Sequence, residues 1–199
     1  MQTYTNFELL CIDDCSTDDT LLMLKDFQKI DKRIRIIGNN TKMGAAYTRN
    51  MGLEEAKGKY VIFLDGDDIF DKKLLKKSIE CSEQYNLDIC FFDFTIARKN
   101  TEKRDEVIWE RKLSNSKYSQ RVFDYKDIGE NDMLSFATAP WNKLFRRDFL
   151  NDNRIQFQSL PSSNDVFFSL ISIVLMKRGL AVSTEGTLVT SYDHKCVSA

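Results

Sequence analysis

The chain has 199 residues, enough for one sizeable core or two small lobes. Its 42% hydrophobic content is ordinary for a globular protein, and a net charge of −1 gives no global field for nucleic acid or anionic lipid. Five cysteines (Cys11, Cys15, Cys81, Cys90, Cys196) are an odd number without CxxC spacing, which argues against a disulfide framework or a structural zinc site and for reduced thiols. No signal-peptide pattern is visible, and the longest apolar stretch, Val166 to Met176, is too short to span a bilayer.

In chain order, Phe7–Ile12 reads as a strand. Ser16-Thr17-Asp18-Asp19 then resembles a capping box before a helix with Leu21, Leu24, Phe27 and Ile30 on one face. Ile34–Ile37 is a second strand, closed by Gly38-Asn39-Asn40. Ala45 to Ala56 is a helix that stops at Gly58. Residues 60–64 form a third strand, Leu74 to Ser82 a helix, and Asp88–Phe94 a fourth strand. This β-α-β-α alternation predicts a mostly parallel sheet with right-handed crossovers. Residues 98–121 are polar and read as a loop or hairpin, with Val107-Ile108-Trp109 as a short strand. Trp141–Leu150 is expected to be helical. Ser163–Met176 is a helix with Phe167, Leu170, Ile171 and Val174 on its apolar face, and Leu180–Ser183 with Thr187–Tyr192 form a closing β pair.

The chemistry concentrates at strand ends. The run Tyr60-Val-Ile-Phe-Leu ends in Asp65-Gly-Asp67-Asp68. In an open α/β sheet, ligands bind past the carboxyl ends of strands. Asp65 and Asp67 are two apart, so an extended backbone points both the same way, and paired carboxylates repel unless a cation lies between them. An EF-hand is excluded: counted from Asp65, positions five, six and twelve are Ile69, Phe70 and Lys76. No P-loop or GxGxxG is present, so a bound phosphate needs a metal counter-charge, and oxygen ligands favour Mg²⁺ or Mn²⁺. Asp13-Asp14 follow the first strand and read either as turn residues or as ligands. Asp18 and Asp19 read as first-turn acids. Asp165 reads either as a helix N-terminal acid or as a general base. His194, the lone histidine, reads as a surface or core residue.

Three stretches in order then resemble the family 2 glycosyltransferases of GT-A fold. Phe7 to Asp18 resembles the family's strand and Asp-Asp-x-Ser-x-Asp turn. Asn40 to Gly52, with Arg49-Asn50-Met51-Gly52, resembles its Gly…Ala-Arg-Asn-x-Gly helix. Tyr60 to Asp68 resembles its Asp-x-Asp strand. Trp141 to Arg147 and Asn164-Asp165-Val-Phe-Phe are similar to segments of the bacterial polysaccharide branch, with Asn164 in place of the usual Glu. The resemblance implies a Rossmann-like α/β sheet flanked by helices, with residues 1–97 as the nucleotide-sugar part and a smaller acceptor-side region over 98–199. It implies nucleotide-sugar contacts from Asp13, Asp14, Arg49 and Asp65, metal ligation by Asp67 and Asp65, and Asp165 as the base for inverting transfer. Trp141 and Lys143 become acceptor-side candidates, with Trp141 either a sugar platform or a core residue.

The implied partners are a nucleotide-sugar donor, a UDP-sugar by family frequency, and a glycan or lipid-linked acceptor in cell-surface polysaccharide assembly. No nucleic acid is expected. The expected location is the cytoplasm, at the inner face of the membrane. The family's opening Val-Ser-Ile-Ile-Ile-Pro strand and its helix are not in the sequence before Met1-Gln2-Thr3-Tyr4, so we expect an N-terminally truncated domain with an open sheet edge, available for a homo-oligomer. Two rival readings stand beside the enzyme: an inactive remnant serving as a binding module, and a nucleotidyltransferase, whose Gly-rich basic signature is not seen.

Overall fold

A computed structural model describes residues 2–98, 106–136, 139–160, 163–183 and 188–191. Residues 99–105 and His194 lie outside them. Strand β1 (Leu9–Asp13) leads through helix α1 (Thr20–Ile30) to β2 (Ile34–Gly38), and β1 and β2 pair in parallel with Leu9 opposite Ile34. Helix α2 (Ala45–Glu55) precedes β3 (Tyr60–Ile62), and α3 (Leu74–Tyr85) precedes β4 (Ile89–Phe92). The expected capping box does not form. Asp18 accepts the Thr20 N–H instead, and Asp13 accepts the Ser16 N–H.

The second half departs from the expected order. Trp141–Leu150 is not one helix: Lys143–Arg146 is a strand, β7, followed by the short helix α4 (Arg147–Asp152). β7 enters antiparallel between β3 and β4, with Val61 and Ile89 both opposite Phe145. Sheet pairing therefore overrides the local helical signal. β5 (Phe94–Arg98) and β6 (Glu106–Arg111) pair antiparallel. 3₁₀ segments then carry Leu113, Tyr118 and Phe136 into the core, and an isolated bridge to Gly179 carries Phe123 there. The two final strands do not pair with each other. β8 (Gly179–Val182) joins β4 in parallel, and β9 (Leu188–Ser191) joins β5 in parallel. Three parallel pairings (β1/β2, β4/β8, β5/β9) thus stand beside the antiparallel ones around β7 and β5.

The four-stranded sheet runs β3-β7-β4-β8 and is covered on both faces, which is why β4 is uniformly apolar and fully buried. One face carries Val61, Ile89, Phe91 and Phe145, and the other carries Tyr60, Ile62, Cys90, Leu144 and Leu180. Helix α5 (Asn164–Leu175) packs on the first face through Phe168, Ser169, Ser172 and Ile173. The expected face of α5 is rotated: Phe167 and Val174 point outward, at 44% and 42% exposure. Phe168 decides the rotation, because its ring fits among Phe63, Phe145 and Phe157 with centroids at 5.4, 5.4 and 3.8 Å. Among the described residues no strand joins β1 to β3, and α1 buries no side chain, leaving Met23, Phe27 and Ile30 exposed.

Candidate active site

The aromatic cluster of Phe63, Phe145, Phe157 and Phe168 forms an apolar floor, and a polar layer lies at its edge. Two residues beyond Phe63 comes Asp65, at the carboxyl end of β3. Strand β7 runs the other way, so two residues before Phe145 comes Lys143, opposite Phe91 of β4. Three residues before Phe168, on the same side of α5, comes Asp165. The alternation of the strands and the turn of the helix thus bring side chains from three distant segments to one rim.

Arg49 of α2 ties this rim together. One guanidinium nitrogen donates to Asp65 Oδ1 at 3.0 Å, and the other donates to Asn164 Oδ1 at 3.1 Å. Its plane lies over the Phe157 ring at 5.5 Å. The neighbouring Asn50 fixes that ring's backbone: its amide donates to Phe157 O and accepts from Phe157 N, both at 2.8 Å. Asn164, which stands where the resemblance expects Glu, serves here as the acceptor for Arg49.

Asp13 and Asp14 stand at the end of β1, with Asp14 beside the start of α2. Asp13 is buried at the end of β1. The Asp14 carboxylate accepts three bonds at 2.8 Å, from the Asn39 side chain, Met43 N–H and Gly44 N–H. Burial pushes its acidity the other way, but these three donors hold Asp14 below the ordinary carboxylate range. The start of α2 depends on this tether, and Gly44 turns there at φ +86°, a conformation that favours glycine. Asp14 therefore shapes the loop.

The Asp65-Gly-Asp67-Asp68 turn fits a cation by its electrostatics. Burial, followed by the charges of Asp65 and Asp67, pushes Asp68 up to about 7. Asp68 Oδ2 is buried without a hydrogen-bond partner. Asp67 is exposed and Asp65 half-exposed. Among the described residues no three Asp, Glu, His or Cys side chains converge as a ready-made cage. The turn therefore suits a metal held by one or two carboxylates that takes its other oxygens from a ligand and water, as small hard cations do.

Of the expected acceptor-side residues, Trp141 is half-buried and packs edge-on against Phe94 at 4.5 Å. Lys143 has no exposed surface. Sequence reasoning gave no role to Phe157, and none of their own to Asn50 within its motif or Asp68 within its cluster. Asp68 was visible as the third acid of its cluster, whereas Phe157 lies in a stretch without periodicity and carried no signal.

No helix among the described residues is long and apolar enough to cross a membrane. A family model, Glycosyl transferase family 2, matches residues 1–154. The Escherichia coli UDP-Glc:alpha-D-GlcNAc-diphosphoundecaprenol beta-1,3-glucosyltransferase WfgD is 36% identical over 50% of the chain and 39% of its own length. The Staphylococcus aureus poly(ribitol-phosphate) beta-N-acetylglucosaminyltransferase TarS is 27% identical over 83% of the chain and 27% of its own length. The crystal structure of TarS 1-349 in complex with UDP-GlcNAc superposes at TM-score 0.77 and 21% identity, covering 96% of this chain and 52% of that one. A mannosyltransferase from Pyrobaculum calidifontis, solved with GDP-Man and Mn²⁺, superposes at TM-score 0.65 and 13% identity over 98% of this chain and 51% of that one. The chain spans less than half the length of these curated relatives. The α/β fold is that of the GT-A enzymes, and the match over residues 1–154 places the chain in glycosyl transferase family 2.

Proposed function

We propose that the chain moves a sugar, with inversion, from a nucleotide-sugar donor of the UDP type to a hydroxyl of a glycan or lipid-linked acceptor at the inner face of a membrane. The observation that carries this reading is the Arg49 bridge, which puts the Asp65 turn and the start of α5 on one rim. Residues 1–97 would hold the donor, with Asp13, Asp14 and Arg49 around the nucleoside and Asp65 near the ribose. Residues 98–199 would present the acceptor, with Trp141 beside the sugar.

Asp67 and Asp65 would hold Mg²⁺ or Mn²⁺, which supplies charge stabilisation for the departing diphosphate. Asp165 takes the proton of the acceptor hydroxyl as its oxygen attacks the anomeric carbon from the face opposite the leaving group. The new glycosidic C–O bond forms as the bond to the diphosphate oxygen breaks, and the electron pair leaves with the nucleoside diphosphate. Arg49 keeps Asp65 in place during this exchange.

Titration calorimetry of UDP with and without Mn²⁺ tests the donor half. Metal-dependent binding that disappears in Asp67→Ala is expected; its absence from the folded wild type would overturn the reading. A second reading, a chain that binds without transferring, is favoured by the edges of β1 and β3 and the stripe on α1 that stay uncovered among the described residues. The same features suit a homo-oligomer. UDP release from UDP-glucose or UDP-N-acetylglucosamine separates an enzyme from a binding module.

A further inference from the structure

Lys143 is a buried cation that the steps above do not use. Its Nζ donates to Ala139 O at 2.6 Å and to Asn142 Oδ1 at 2.7 Å, and it lies 5.8 Å from the Phe91 ring centre. These contacts hold the ammonium beside the sheet face on which α5 packs. The Phe145–Phe168 contact fixes strand and helix against each other at 5.4 Å. From that contact, two residues back along β7 and three back along α5 lead to Lys143 and Asp165. The carboxylate of Asp165 acts on Lys143 and favours its charged form. Of the acids past the neighbouring strand ends, Asp65 is engaged by Arg49, and Asp93, two residues past Phe91, by the backbone N–H and hydroxyl of Ser114. A lysine kept wholly inside costs stability, because burial penalises the charge.

We infer that Lys143 is a positioning residue for the transfer reaction: its buried ammonium is the counter-charge that keeps the Asp165 carboxylate aimed at the acceptor hydroxyl. The inference rests on the glycosyltransferase reading. In the reaction the proton moves from the acceptor oxygen to Asp165, and Lys143 keeps its own proton throughout. Burial brings Lys143 down to about 7, so its charge is lost within the ordinary working range and the loss is measurable.

The experiment pairs Lys143→Met with wild type, using UDP-glucose and UDP-N-acetylglucosamine as donors with Mn²⁺ and water as acceptor. The expected K143M protein binds UDP as wild type does, releases UDP about ten- to a hundredfold more slowly, and lacks the limb of the kcat–pH profile on which Lys143 gives up its proton. A purely structural role would leave the shape of that profile unchanged. A folded K143M with the wild-type rate and profile overturns the inference while leaving the glycosyltransferase reading intact. A wild type that neither binds nor cleaves these donors overturns both. A second measurement needs neither activity nor the K143M fold: by lysine-selective NMR, Lys143 should titrate at lower pH in Asp165→Asn than in wild type. An unchanged titration overturns the inference.

Discussion

Arg49 and Asp65 form a 3.0 Å ion pair whose cation is 19% and whose carboxylate is 46% exposed, at the boundary between the sheet and solvent. A pair this open contributes little to stability, about 0.2–1 kcal/mol. Its second bond, to Asn164, is what links α2 to α5. Arg49→Met should therefore leave the urea midpoint nearly unchanged while kcat/KM falls about 10- to 100-fold, the scale of a lost hydrogen bond to a charged group. Equal losses in stability and activity would assign Arg49 to the scaffold instead.

Asp67 touches solvent and holds nothing in the fold, so Asp67→Ala should melt within about 0.5 kcal/mol of wild type. The Mn²⁺ dependence of UDP binding should vanish with it. Calorimetry at fixed UDP and varied Mn²⁺ reads this directly; retained metal dependence would move the metal to other ligands.

Asp165 sits in the first turn of α5 and is half-buried. Asp165→Asn keeps the shape and removes the base. Transfer should drop about 10²- to 10⁴-fold with UDP binding intact. Steady-state UDP release beside a binding isotherm separates the two effects.

Asn50 carries the scaffold role that Arg49 lacks. Asn50→Ala strips both bonds from the Phe157 backbone and leaves buried polar groups unpaired, at a cost of about 1–3 kcal/mol. Urea unfolding checks the size, and the Phe157 ring should also lose its fixed place beneath Arg49.

The buried lysine sets a pH signature on stability. Burial lowers Lys143 from its ordinary 10.5 to about 7. Between those values the unfolded chain holds a proton that the folded chain does not, so stability rises with pH across that window. The contribution is complete above the unfolded value and is lost as pH falls through about 7. Lys143→Met lacks this slope, so its stability advantage over wild type should shrink from pH 6.5 to pH 9.5. Parallel urea curves at the two pH values measure the difference.

The first half of the fold was legible because periodicity and strand-end acids agree there. β1, α1, β2, α2 and α3 fall close to where Leu9, Leu24, Ile36, Leu53 and Ile79 place them. The second half was not, for reasons of tertiary origin. β7 is four residues of mixed polarity, and it becomes a strand because β3 and β4 both offer edges to it. The α5 face was misjudged by one position because Phe167 and Phe168 are alike in sequence, and only the waiting rings of Phe63 and Phe157 choose between them. Within the site, Asp65 and Asp67 could be read from their spacing, and Arg49 from the family resemblance alone. Phe157 and Asn50 could not, since their partnership spans 107 residues.

β3 receives its partner strand among the described residues from β7, about eighty residues later in the chain, and β4 finds both its neighbours, the same β7 and then β8, after it in the chain. On a ribosome, the turn that bears Asp65 therefore emerges long before the strand that must hold it. The nascent chain carries an unsupported carboxylate turn until Lys143–Arg146 clears the exit tunnel, and folding of this sheet depends on contacts of high sequence separation. Assembly of the rim is a late event of synthesis, and a ribosome stalled short of β7 would display strands open to misassociation.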